Sequence, residues 1–221
     1  MKRVSTLVVS KPDVACKGRD DAVGSLRDLA ALSLRPMITV DARGVAPAAR
    51  QIRSPNFDAR PPGEAVSLVV VHGISLPPGV FGGDDVQRLF TNTLDGAAHP
   101  FYATIAGLRV SSHFFVRRGG DLVQFVSCND RAWHAGKSSW RGRERCNDFS
   151  IGIELEGTDD VPYAPLQYER LASLLVALKR RYPSIAATVG HSDVAPGRKT
   201  DPGPAFDWDR LARLTGATRL P

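Results

Sequence analysis

The chain has 221 residues, 43% hydrophobic and 24% charged, the balance of a soluble globular protein long enough to bury a core. Its longest apolar runs, such as LVVV at 68–71, are too short to span a bilayer, and its three cysteines (Cys16, Cys128, Cys146) form no CxxC, which argues against a disulfide scaffold or a cysteine-rich zinc knuckle. The net charge of +6 is unevenly spread, with 11 Lys/Arg against 6 Asp/Glu in residues 1–60 and 18 against 17 thereafter, so no basic face for nucleic acid is expected on the folded body.

Residues 1–36 show no sustained strand or helix period apart from a short helix expected around Asp20–Leu34. The apolar run Leu7–Val9 is too short for a signal-peptide core, so the cytoplasm is the expected compartment. A second methionine, Met37, stands immediately before ITVDARG. Residues 1–40 are therefore expected to be a basic arm, disordered or the product of an upstream start codon read too early.

From Ser67 the pattern sharpens. SLVVVHG (67–73) reads as a buried strand ending in His72, followed by the loop ISLPPGVFGG and a helix over DDVQRLFTNTL. RVSSHFFVRRGGDLVQFVS contains two strands joined at a Gly-Gly turn, a hairpin. FSIGIELEG (149–157) is a further strand. APLQYERLASLLVALKRRYP (164–183) repeats apolar residues at helical spacing, with Pro165 in its first turn and Pro183 ending it. ATVGH (187–191) then delivers His191 to a strand tip. Strands and helices mixed in this way, with one hairpin, give a single α/β domain over 41–221.

Two histidines share a context. His72 and His191 each end an apolar strand and each precedes a loop rich in Gly and Pro. If the strands are neighbours, the imidazoles meet at one sheet edge, and Asp201 returns on the stiff loop GHSDVAPGRKTDPG. Two His and one carboxylate with an open fourth position form the ligand set of a catalytic zinc site. In SIGIELEG the period of two puts Gly152, Glu154 and Glu156 on one face, where either glutamate has the position of a general base or of a solvated strand face. Lys199, two residues before Asp201, has the charge to hold an oxyanion. AGKSS (135–139) is no P-loop, because Arg131 stands where its first Gly is needed, and no GxSxG is present.

Taken in order, VVVHGISLPPGVFGG, RVSSHFFVRRGG, RAWHAGKSSWRGRERCNDFSIGIELEGTDD and GHSDVAPGRKTDPGPAFDW closely resemble the AmpD-type N-acetylmuramoyl-L-alanine amidases, over about residues 43–209. The resemblance implies the amidase fold shared with peptidoglycan-recognition proteins, a mixed central β-sheet flanked by helices. It implies Zn2+ held by His72, His191 and Asp201, with Glu154 rather than Glu156 and Lys199 as catalytic groups. Arg109, Trp133 and Arg145 fall on its substrate-binding positions. The reaction implied is hydrolysis of the amide between N-acetylmuramic acid, preferably in its 1,6-anhydro form, and L-alanine of the stem peptide, in cytoplasmic peptidoglycan recycling. The expected partner is that anhydro-muropeptide, with no nucleic acid and no membrane, and the chain is expected to be a monomer. A broader periplasmic wall amidase or a non-cleaving peptidoglycan-binding module are the alternatives. Two positions depart from the pattern: Gly73 stands where relatives carry Asn, and Ser112 where more distant relatives carry a tyrosine that assists catalysis.

Overall fold

β-branched residues lose little by being extended and pack well on a pleated surface, and two stretches of this chain, Leu68–Ile74 and Ser150–Glu156, use that to form the longest strands. The computed structural model describes residues 37–216; the expected arm helix around Asp20–Leu34 lies outside the described residues. In chain order the elements are β1 (Arg50–Gln51), β2 (Phe57–Ala59), β3 (Leu68–Ile74), α1 (Asp85–Phe90), α2 (Pro100–Ile105), β4 (Phe114–Val116) and β5 (Leu122–Gln124). There follow β6 (Asp130–Ala132), β7 (Ser139–Trp140), β8 (Arg143–Glu144), a 3-10 turn (Cys146–Asp148) and β9 (Ser150–Glu156). The last are α3 (Pro165–Arg181), β10 (Ala187–Gly190), α4 (His191–Val194) and α5 (Trp208–Thr215).

Six strands make the central sheet, in the order β1-β5-β4-β9-β3-β10, and only the β4–β5 hairpin within it is antiparallel. This is the mixed sheet expected. Alternation along the strands divides their side chains between two faces. Val69, Val71, Phe114, Val116, Ile151, Ile153 and Leu155 pack on one face with Leu171, Leu174 and Leu178 of α3. Phe115 and Val123 face the other way, toward the apolar residues of α1. Gln167, fully buried at the start of α3, donates to the carbonyls of Val116 and Glu156 and accepts from the Ala164 N–H, so one side chain closes the helix entry against two strand ends. No helix among the described residues is long and apolar enough to cross a membrane.

Several boundaries differ from the sequence expectation. Ile38 is 3% exposed within the core, so the packed chain begins before residue 41. The helix expected over 84–94 stops at Phe90, because the Thr91 hydroxyl bonds back to the Gln87 carbonyl and Asn92 takes a left-handed φ of 59°. His191 opens the short helix α4 rather than ending β10. Leu174, completely buried between α3 and the sheet, anchors this layer. Leu174→Ala is expected to cost about 2–5 kcal/mol, read as a lower urea midpoint at unchanged slope.

Candidate active site

The face of the sheet opposite α3 carries the chemistry. With Val69 and Val71 turned into the core, alternation turns His72 to the other side, where β3 pairs in parallel with β9 and sets His72 opposite Glu154. Phe115 of β4 flanks Glu154 on the far side. Gly190 of β10 pairs with Val71, so the next residue, His191, lies level with His72. The loop after α4 is folded back by a bond from the Ser192 N–H to the Asp201 carbonyl, at 3.0 Å.

Three ligand-type atoms converge there. Nδ1 of His72 and Nδ1 of His191 are 2.9 Å apart, and Oδ2 of Asp201 lies 3.3 Å from the first and 3.1 Å from the second. Both rings are buried, while the Asp201 side chain keeps 15% exposure. The group meets the spatial requirement for holding a metal ion. Its chemistry fits as well: two imidazoles and one carboxylate leave one position of a tetrahedral ion open. Burial pushes the His72 imidazole down to about 4, so it is a neutral ligand near pH 7.

The two glutamates of β9 have separate fates. Glu156 accepts from the Gly82 N–H at 2.6 Å through one oxygen and from the Arg118 N–H at 3.0 Å through the other. It pins two loops. Glu154 is buried beside the cluster and its Oε2 has no hydrogen-bond partner. Burial raises its carboxyl well above the ordinary value, the Asp201 charge raises it further, and the Lys199 ammonium opposes the rise. Lys199 itself is exposed, and its charge also reaches His72.

The three residues expected at the substrate are not all joined. Trp133 donates its indole N–H to Asp58 at 3.2 Å, and Asp58 pairs with Arg131. Arg131 pairs in turn with Asp148, which holds Arg145 at 3.1 Å, so Trp133 and Arg145 share one chain of charges. Arg109 is exposed on the segment before β4, and among the described residues no hydrogen bond or ion pair joins it to the other two.

The departures have local explanations. A Cβ on Gly73 would stand 2.2 Å from the Tyr163 hydroxyl, which bonds the carbonyl of Pro202, next to Asp201. Ser112 is fully buried and donates to the Gly152 carbonyl. Gly152 leaves room for the His134 ring, since a Cβ there would lie 2.4 Å from it. Buried His134 and His113 crowd the same site, with His134 edge-on to His72 at a centroid distance of 5.1 Å. Neither has a sequence signal of its own beyond sitting inside RAWHAG and SSHF.

Comparison with known proteins points to one family. The family model for N-acetylmuramoyl-L-alanine amidase matches residues 62–204, a span that includes His72, Glu154, His191, Lys199 and Asp201. The 1,6-anhydro-N-acetylmuramyl-L-alanine amidase AmpD of Citrobacter freundii is 59% identical over 167 residues, covering 75% of this chain and 89% of that relative. A crystal structure of a selenomethionine derivative of AmpD superposes with a TM-score of 0.77 at 56% identity, covering 80% of this chain and 98% of that one. AmpDh3 from Pseudomonas aeruginosa, in complex with anhydromuramic pentapeptide, gives a TM-score of 0.53 at 30% identity, over 69% of this chain and 60% of its own. The chain belongs to the N-acetylmuramoyl-L-alanine amidase family, and is an enzyme of that family.

Proposed function

We propose that this chain hydrolyses the amide between 1,6-anhydro-N-acetylmuramic acid and L-alanine of the stem peptide, in cytoplasmic peptidoglycan recycling, with His72, His191 and Asp201 holding Zn2+. The observation that carries the reading is the convergence of three ligand atoms within 3.3 Å beside a buried carboxylate oxygen that lacks any partner. The 59% identity to an AmpD named for the anhydro substrate supports the choice of sugar.

Zinc held by this group would supply Lewis acidity toward the scissile carbonyl and acidify water at its open position. The remaining roles belong to the chain. Glu154 takes the proton of the attacking water on its unpartnered oxygen and passes it to the nitrogen of the leaving alanine as the C–N bond breaks. A carboxyl raised by burial suits both halves of that transfer, since its affinity for the proton is brought nearer to working pH. Lys199 holds the oxyanion that develops on the carbonyl oxygen. Arg109 and Arg145 meet carboxylates of the peptide, and Trp133 offers a flat apolar surface to the sugar.

Incubating zinc-loaded protein with anhydro-muropeptide should release free stem peptide, read by mass, and Glu154→Ala should release it about 10²–10⁴ times more slowly. No release by folded, zinc-loaded wild type would sink the reading. Lys199→Ala should lower kcat about 10²–10³-fold with metal content unchanged. Glu154 also predicts a pH signature. Its folded-state pKa lies above the unfolded value near 4.5, so the folded state is favoured below 4.5 and loses that advantage as pH rises through the folded pKa. Urea denaturation of metal-free Glu154→Gln should match wild type at pH 4 and exceed it in stability at pH 8.

A further inference from the structure

The two histidines of the cluster are oriented from behind by a single dipeptide. Nε2 of His191 lies 3.3 Å from the Ala135 carbonyl, and Nε2 of His72 lies 3.0 Å from Nδ1 of His134. A carbonyl oxygen can only accept, so His191 carries its proton on Nε2 and turns the Nδ1 lone pair inward.

The polarity of the His72 contact follows from its far end. The Ser150 hydroxyl donates to the Cys146 carbonyl at 2.5 Å, which uses its only proton. Ser150 Oγ must then accept from Nε2 of His134, at 3.2 Å. Nδ1 of His134 is left as an acceptor, and the proton between it and His72 belongs to His72 Nε2. The result is an ordered chain, His72 to His134 to Ser150 to the Cys146 carbonyl, in which each ring nitrogen and the hydroxyl have a defined direction. It turns the His72 Nδ1 lone pair inward too.

The dipeptide is itself fixed. Asn147 Oδ1 accepts from the backbone N–H of His134 at 3.2 Å and of Ala135 at 2.8 Å. The Arg198 guanidinium, on the loop that carries Asp201, donates to the carbonyls of Ala135 at 2.6 Å and Lys137 at 2.7 Å. Gly152 gives the His134 ring its seat on β9.

We propose that His134 and Ala135, clamped by Asn147, form the positioning element that sets the tautomer and direction of both metal-ligating histidines. The inference rests on the metal reading above and reaches beyond it, because Asn147 touches neither histidine. Hydrogen-bond partners of ligating histidines typically matter 10–100-fold in metal affinity.

The test has two readouts. Long-range ¹H–¹⁵N correlation on zinc-loaded, ¹⁵N-histidine-labelled wild type should show His72 and His191 both protonated on Nε2, with protons protected from exchange. A spectrum with either ring protonated on Nδ1 overturns the proposal without any variant. Zinc affinity, by chelator competition, should fall about 10–100-fold in His134→Leu, recover largely in His134→Asn, whose amide oxygen replaces Nδ1 as acceptor, and fall again in Asn147→Leu. His134→Leu should lose only the protected His72 proton, whereas Asn147→Leu should lose protection at both rings. Wild-type affinity in folded Asn147→Leu, or equal weakness of His134→Asn and His134→Leu, refutes the positioning role. His72→Ala serves separately: if it binds zinc as wild type does, the ligand assignment is what fails.

Discussion

Parallel pairing of β9, β3 and β10 is the constraint on which the site depends. Parallel strands keep the same residues level along their whole length, so fixing Leu68 against Ser150 at one end also fixes His72 against Glu154 at the other. The third strand adds His191 by the same rule, with Gly190 level with Val71. A slip of one residue would send His72 into the apolar layer under α3 and bring Val71 to the cluster. Register is therefore held by the hydrophobic face, whose Val69, Val71, Ile151, Ile153 and Leu155 tolerate only one alignment against α3. Core packing and ligand geometry are two sides of one sheet.

Burial sets the chemistry of what the sheet brings together. Four of the five histidines lie buried in one cluster, and burial lowers the pKa of three of them, His72, His113 and His134. Neutral imidazoles bury at tolerable cost only where each ring nitrogen has a partner. His113 meets this by accepting the Gly152 N–H at Nδ1 and giving its Nε2 proton to the Asp130 carbonyl. Against such complete pairing the bare oxygen of Glu154 stands out. Two residues away Glu156 has backbone donors on both oxygens, so neighbouring carboxylates on one strand face differ, one pinned by two loops and one left with an oxygen unpartnered.

What could be read from the sequence follows from this arrangement. His72, Glu154 and His191 lie in or immediately after strands whose apolar alternation is plain, so their faces and approximate levels were legible before any coordinates. The choice between Glu154 and Glu156 was not legible from alternation, since both share a face; it turns on which of them meets the N–H groups of Gly82 and Arg118, contacts spanning 74 and 38 residues. His134 and Asn147 were illegible for a different reason. Their work is done by ring tautomer and by a side-chain amide on a neighbouring backbone, and neither leaves a periodic trace. The short strands β1, β2, β6, β7 and β8 escaped because two or three residues carry no period at all, and β4 and β5, no longer than these, were legible through the Gly-Gly turn that joins them.

The 3-10 turn at Cys146–Asp148 ties the two halves of the site together. Its first residue offers the carbonyl that ends the hydrogen-bond chain behind His72, through Ser150. Its second clamps His134 and Ala135. Its third pairs with Arg131 and Arg145, and through Arg131 and Asp58 reaches Trp133. The turn is held from below by Arg60, a largely buried guanidinium that donates to the carbonyls of Asn147, Asp148, Cys128 and Ser150 rather than to a carboxylate. Burial works against the charge of this guanidinium, and the four carbonyls stand in for part of the water it gives up. A displacement of this one turn would move the ligand support and the proposed substrate wall together, which is the physical reason to expect metal geometry and substrate binding to respond jointly to changes at Arg60.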